Sequence, residues 1–195
     1  MSKEYPGPQG PVQILDIPAG IGLTESGAID ANRGAAMYLN VTAEKQGHID
    51  GGMTEKGQEK TIKVYGMLHG LSSPRDAASG LPTGKRRHGI LQISIGLDKA
   101  IPKLWTCLVQ NENIKTWELK YWSAVHKGSA STATGSTHAN LYTVKLTNAN
   151  LASRETITPV NGTLMFMLGF TYQKIEWTWV DGGITSMDDW EAPVV

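Results

Sequence analysis

The sequence predicts a mainly β fold, an antiparallel β-barrel with one short flanking α-helix. Three observations carry that prediction. Five separate segments alternate apolar and polar residues with a period of two, the pattern of half-buried strands. One segment, Asp98–Asn111, instead spaces its apolar residues as a helix does. The longest apolar run, Leu164–Val180, is built of strand formers but changes phase partway along.

Residues 1–36 read as an N-terminal extension, partly flexible, ahead of a main domain over 37–195. Pro6, Pro8, Pro11 and Pro18 remove backbone donors there, and the glycines between them raise the entropy of the free chain. Within this arm Val12–Ile17 has the composition of a short edge strand. The first alternating segment sets Met37, Leu39 and Val41 against Tyr38, Asn40 and Thr42. The second sets Ile62 and Val64 against Thr61, Lys63 and Tyr65. In the third, Leu91, Ile93, Ile95 and Leu97 alternate with Gln92, Ser94 and Gly96. The fourth and fifth place Trp117, Leu119 and Tyr121, then Tyr142, Val144 and Leu146, on one face. Each strand so read has one dry face and one that can meet water, as strands of an antiparallel barrel or sandwich do.

Between the third and fourth segments, Leu104, Trp105, Leu108 and Val109 form a helical stripe, with Pro102 near the first turn and Asp98 upstream. Such a helix would cover an open end or face of the barrel. Cys107, the one cysteine, lies at the edge of the stripe and reads as a buried structural thiol. In the run Leu164–Val180 the apolar set sits at Leu164, Phe166, Leu168, Phe170 and Tyr172, then moves to Ile175, Trp177 and Trp179. A one-residue phase change implies a bulge or bend near Gln173-Lys174, so that the two halves face different layers. Gly169 marks a close backbone approach. Two connections remain: Gly70–Arg87, rich in turn residues and expected to be ordered or to order on binding, and the small polar stretch Gly128–Thr137, expected to be mobile.

At 195 residues the chain suits one domain, and its 18 basic and 18 acidic residues cancel. No field of one sign then points to nucleic acid or a membrane surface, and a neutral chain offers little electrostatic resistance to self-association. One cysteine forms no internal disulfide. The first ten residues are polar and rich in Pro and Gly, unlike a signal peptide or a membrane span, so synthesis as a soluble cytoplasmic protein is expected.

No catalytic pattern emerges. His48, His69, His88, His126 and His138 do not fall at metal-ligand spacings, and no GxSxG, Walker or GxGxxG motif occurs. Neither an enzyme, a metal nor a cofactor is expected. Asp181, Asp188 and Asp189 read as a turn and a solvated pair of acids, and Lys85-Arg86-Arg87-His88 as a solvated or interfacial basic cluster. The six tryptophans mostly follow the apolar pattern and belong to core or subunit contacts.

Three stretches carry a family resemblance. Gly84–Leu104 begins GKRRHG and ends SIGLDKAIPKL, a basic-His start leading into a strand and then an Asp-Lys-Ala-x-Pro-x-Leu helix entry. Leu141–Asn148, LYTVKLTN, holds a Tyr-x-x-x-Leu-x-Asn strand. Lys174–Trp190, KIEWTWVDGGITSMDDW, closes with Ile-x-Trp, an Asp-Gly turn and Asp-Asp-Trp. Together these resemble the haemolysin-coregulated proteins (Hcp), tube proteins of bacterial type VI secretion systems that are similar in fold to phage tail tubes. Two features depart from the pattern: the preceding 36 residues, and Gly89-Ile90 where a proline-aromatic pair is usual.

The resemblance implies a tail-tube-like barrel assembling as a homohexameric ring. Rings would stack into the injected inner tube, carry or chaperone small effectors in the lumen, and meet the sheath and spike of the apparatus. It also implies secretion without a signal peptide. The alternative is the tail tube of a phage-like contractile injection system. On this reading the loop Gly70–Arg87 supplies ring-stacking contacts, with Pro74, Arg75, Asp76, Lys85 and Arg86 as candidates. The polar strand face bearing Glu118, Lys120, Thr143 and Lys145 is a candidate for the lumen or the ring interface.

Overall fold

A computed structural model describes residues 36–125, 137–157 and 164–190. The expected edge strand Val12–Ile17, the rest of the extension up to residue 35, and the Gly128–Thr137 connection short of its last residue lie outside the described residues. The chain divides into units 1–31 and 32–195, and all described residues belong to the second.

Strands β1 (Ala36–Ala43), β2 (Gly47–His48), β3 (Ile62–Leu68), β4 (Leu71–Ser72), β5 (Arg87–His88) and β6 (Leu91–Gly96) precede helix α1 (Ile101–Val109). After it come β7 (Ile114–Val125), β8 (Thr137–Thr147), β9 (Asn150–Ile157), β10 (Met165–Thr171), β11 (Lys174–Trp179) and β12 (Ile184–Asp189). The main sheet runs in the order β12-β11-β8-β7-β1-β3-β6-β10-β9, with β2 beside β1 and β4–β5 forming a separate ribbon. All of its pairings are antiparallel.

This order forces the sheet to curl. Strands β8 and β9 stand third and ninth in it, yet only Asn148 and Ala149 connect them. Strands β10 and β11, eighth and second, are joined by Tyr172 and Gln173 alone. Three Cα–Cα steps reach about 11 Å, whereas six strand spacings in a flat sheet would be about 29 Å. The two short junctions are possible only if the sheet bends back on itself.

The closed barrel expected from the sequence is not what the ladders form. Strands β9 and β12 remain the two ends of the path, with no ladder between them among the described residues. An isolated bridge, in which Ile114 N–H donates to the Ala149 carbonyl (2.8 Å) and Ala149 N–H to the Ile114 carbonyl (3.4 Å), continues the β7–β8 register into the β8–β9 junction. Beside β9 the helix takes up the position of a cover: Trp105 meets Phe166 edge-on at 5.4 Å, and the Arg154 guanidinium sits 4.5 Å from the Trp105 ring.

The five alternating segments become β1, β3, β6, β7 and β8, and their dry faces supply Leu39, Val41, Ile62, Val64, Leu91, Ile93, Ile95, Trp117, Leu119, Val144 and Leu146 to the core. Leu97 departs from its pattern. The strand ends at Gly96, and Leu97 is 76% exposed. In the helix the buried stripe is Ile101, Leu104 and Cys107, while Val109 is 80% exposed. Pro102 occupies the first turn as expected, and Asp98 Oδ1 accepts from Ala100 N–H at 2.8 Å just before it. Cys107 is fully buried, and burial together with the nearby Glu112 charge pushes its thiol up to about 11. An inert structural thiol follows.

The phase change at Gln173-Lys174 proves to be more than a bend. The chain leaves one region of the sheet, where β10 pairs with β6 and β9, and enters another, where β11 pairs with β8 and β12. Alternation therefore restarts with new partners. At Gly169 a Cβ would lie 2.3 Å from Ser153 Oγ and 2.9 Å from Ile90 Cγ2, so the approach is made by side chains and not by the expected backbone.

Candidate assembly surfaces

The Gly70–Arg87 connection is a built arm. Its base is the β4–β5 ribbon, Leu71 opposite His88 and Ser72 opposite Arg87, and an Arg75–Pro82 bridge continues the pairing outward. At the tip Asp76 Oδ1 accepts from the Ala78 and Ser79 amides (3.1 and 2.7 Å) and from the Ser79 hydroxyl (2.8 Å). These bonds, led by the Ser79 hydroxyl, hold its carboxyl below the usual range. Gly80, with φ +69°, closes the turn in a conformation that suits glycine. Arg75, Asp76, Lys85, Leu71 and Leu81 are exposed, and Pro74 is half-buried.

Arg86 behaves differently from the rest of that candidate set. Its guanidinium turns back onto its own chain, donating to the Asp188 carboxylate and, at 2.9 Å, to the Asp189 carbonyl. The solvated acid pair expected at the chain end is therefore corrected for Asp188, whose side chain is only 13% exposed. Burial alone would raise its carboxyl, but Arg86 and His88 outweigh that and hold it below the ordinary carboxylate range. His88, with a 1% exposed side chain, places Nε2 2.5 Å from Asp188 Oδ2 and Nδ1 2.9 Å from the Tyr172 hydroxyl. His69 Nε2 reaches the same hydroxyl at 2.6 Å. Trp190 and Trp177 wall the cluster, with rings 5.3 Å from His88 and 6.4 Å from His69. Burial pushes Tyr172 up to about 12.

The second candidate surface is the outer, polar face of the sheet. Glu118 and Lys145 are register partners on β7 and β8, as are Lys120 and Thr143, so all four predicted residues come together. The Glu118 carboxylate lies 3.1 Å from Lys120 Nζ and 3.5 Å from Lys145 Nζ. Register extends the pattern across four strands, Asn40–Glu118–Lys145–Glu176, with charge alternating from Glu118 onward. Thr143 sits low in this face, 6% exposed, accepting from Asn140 Nδ2 at 2.9 Å.

A third polar cluster is structural. Glu112, 3% exposed, accepts from the Lys45 and Gln46 amides (2.5 and 2.9 Å) and from Gln46 Nε2 (3.1 Å), fixing the β1–β2 turn to the helix end. No group of three or more His, Cys, Asp or Glu placed to hold a metal occurs among the described residues. His126 lies outside those residues.

With this fold in view, comparison with known proteins is decisive. The sequence model of the family described as "Type VI secretion system effector, Hcp" matches residues 38–179. The chain belongs to the Hcp family of type VI secretion systems. A curated Hcp-like relative, the "Major exported protein" of Pseudomonas aeruginosa, is 31% identical over 173 residues, covering 80% of this chain and 96% of the relative. Among solved structures, one described as "Crystal structure of Hcp protein" matches with a TM-score of 0.69 at 25% identity, over 80% of this chain and 99% of its own. The "Secreted protein Hcp3 from Pseudomonas aeruginosa" matches with a TM-score of 0.63 at 25% identity, over 81% and 99%. No helix among the described residues is long and apolar enough to cross a membrane.

The polar-face residues Glu118, Lys120, Thr143 and Lys145 lie together and Arg86 parts from the arm set, while sequence reasoning missed the His69–Tyr172–His88–Asp188 cluster. Its members are up to 119 residues apart in the chain, from His69 to Asp188. The one local sign was an Asp-Asp-Trp at one end and a basic-His run at the other, of complementary charge.

Proposed function

We propose that this Hcp-family chain is the tube subunit of a type VI secretion system, closing into hexameric rings that stack into the inner tube. Family membership is the observation that carries the reading. The arm and the polar sheet face support it, because a stacked tube needs a projecting element and a wetted wall. Arg75, Asp76 and Lys85, exposed on the arm with Pro74 beside them, are the stacking contacts on this reading. Arg86 acts from within, holding the arm's base to Asp188. The face with Glu118, Lys120, Thr143 and Lys145 lines the lumen or the ring interface on this reading, small effectors ride in the lumen, and sheath and spike engage the assembled tube. The subunit is made in the cytoplasm and leaves the cell with the tube, in keeping with a relative named for its export. The family match favours a secretion system over a phage-like injection device.

Mass measurement in solution with negative-stain imaging tests the reading. Rings of about six subunits are expected, since closed cyclic symmetry satisfies every interface. Arg75→Glu with Lys85→Glu should leave single rings intact while shortening stacks. A clean monomer at high concentration would sink the tube reading, and stacking unchanged in the double variant would remove the arm from it.

A further inference from the structure

We propose that His69, Tyr172, His88 and Asp188 form an acid-sensitive latch that ties the base of the arm to the C-terminal β11–β12 hairpin. The four side chains come from four places: the end of β3, the β10–β11 junction, β5, and β12. His69 and His88 flank the arm, so the latch grips both of its feet.

Hydrogen-bond accounting shows why protons matter. Asp188 is a carboxylate with only lone pairs to offer, so His88 Nε2 carries a hydrogen and donates to it (2.5 Å). With both rings neutral, Tyr172 O–H donates to His88 Nδ1 (2.9 Å) and its oxygen accepts from His69 Nε2–H (2.6 Å). All three bonds are made. With one imidazolium they can still be made: a charged His88 donates through Nδ1 to the tyrosine, whose O–H turns to His69 Nε2. With two imidazoliums both rings point N–H at the same oxygen, and the buried Tyr172 O–H loses both of its ring acceptors. Two cations would then stand 6.1 Å apart before one carboxylate already engaged by Arg86.

The second proton is the one that opens the latch. Among the described residues, the charged groups facing the cluster are Arg86 from the arm and Asp188 from β12, while the rings of Trp177 and Trp190 supply no negative charge. Lys174, Glu176 and Asp189 occupy the alternate positions of the hairpin, on its opposite face. Burial first, and the neighbouring His88 second, hold His69 below its ordinary 6.5. A closed latch therefore binds fewer protons than an open one below that value, and closure weakens as pH falls through it.

Amide hydrogen exchange on the full chain reads the latch. Gly89 N–H, bonded to the Gly70 carbonyl at 2.8 Å, reports the arm's base, and Trp190 N–H, bonded to Gln173 at 3.1 Å, reports the hairpin. After correction for intrinsic rates, both should exchange about tenfold faster near pH 5 than near pH 7.5. His69→Gln, which keeps a donor for Tyr172 without a titrating ring, should respond little to pH. Tyr172→Phe should exchange fast at both values. A wild-type chain with no pH response overturns the proposal. So does a His69→Gln chain that keeps the wild-type response, or a Tyr172→Phe chain still protected near neutrality. The latch belongs to a single chain, so its failure and the absence of rings are separate results.

Discussion

The inner face of the curled sheet and the base of the arm are both buried, but they are held by opposite means. The core holds Leu39, Ile93, Leu119, Val144 and Leu168, all fully buried and without a titratable group. At the base of the arm, imidazoles, a phenol, a carboxylate and a guanidinium meet within bonding distance. Apolar packing is additive, non-directional and indifferent to pH. A polar cluster is directional, and each member becomes costly once its partner leaves. The difference teaches where this protein is rigid and where it can respond to its surroundings.

Three substitutions sharpen the contrast, in descending order of effect. Leu119→Ala empties a fully buried site and should lower unfolding stability by about 3 kcal/mol, equally near pH 5 and pH 8, by denaturant titration. A strongly pH-dependent loss there would erase the contrast. Asp188→Asn keeps the size of the side chain and removes the charge that Arg86 and His88 share, a loss of about 2 kcal/mol at neutral pH. The sign follows from the lowered carboxyl: its stabilisation is full above the ordinary 3.8 and disappears as pH falls through the folded value. Wild type and variant should therefore converge in strong acid, and a gap that persists there would assign the loss to packing. Glu118→Gln, on the polar face, should change stability by less than about 1 kcal/mol, since its lysine partners are 37% and 52% exposed.

Legibility followed the same division. The strands β1, β3, β6, β7 and β8 were readable because each alternates over its own length. Strands β9 and β12 were not, since NLASRETI and ITSMDD lack a continuous apolar period. Among the described residues they are end strands, each paired on one side only. The helix was readable from spacing, though Val109 turned outward because Cys107 and Ile101 took the buried stripe. Grouping of Glu118 with Lys145 was inferred from two separate outward faces, and the antiparallel register then made them partners.

The sequence by itself determined which residues face inward along most strands, where the helix lies, that Cys107 is buried, and that the apolar run changes phase near Gln173. These are local properties, decided by each residue's near neighbours. Only the tertiary structure decided that the phase change separates two sheet regions, that two-residue junctions curl the sheet without closing its ladders, and that Arg86 and His88 meet Asp188. Such pairings join groups about 100 residues apart, and complementary charge gains energy only where the folded chain has already brought it together and excluded water.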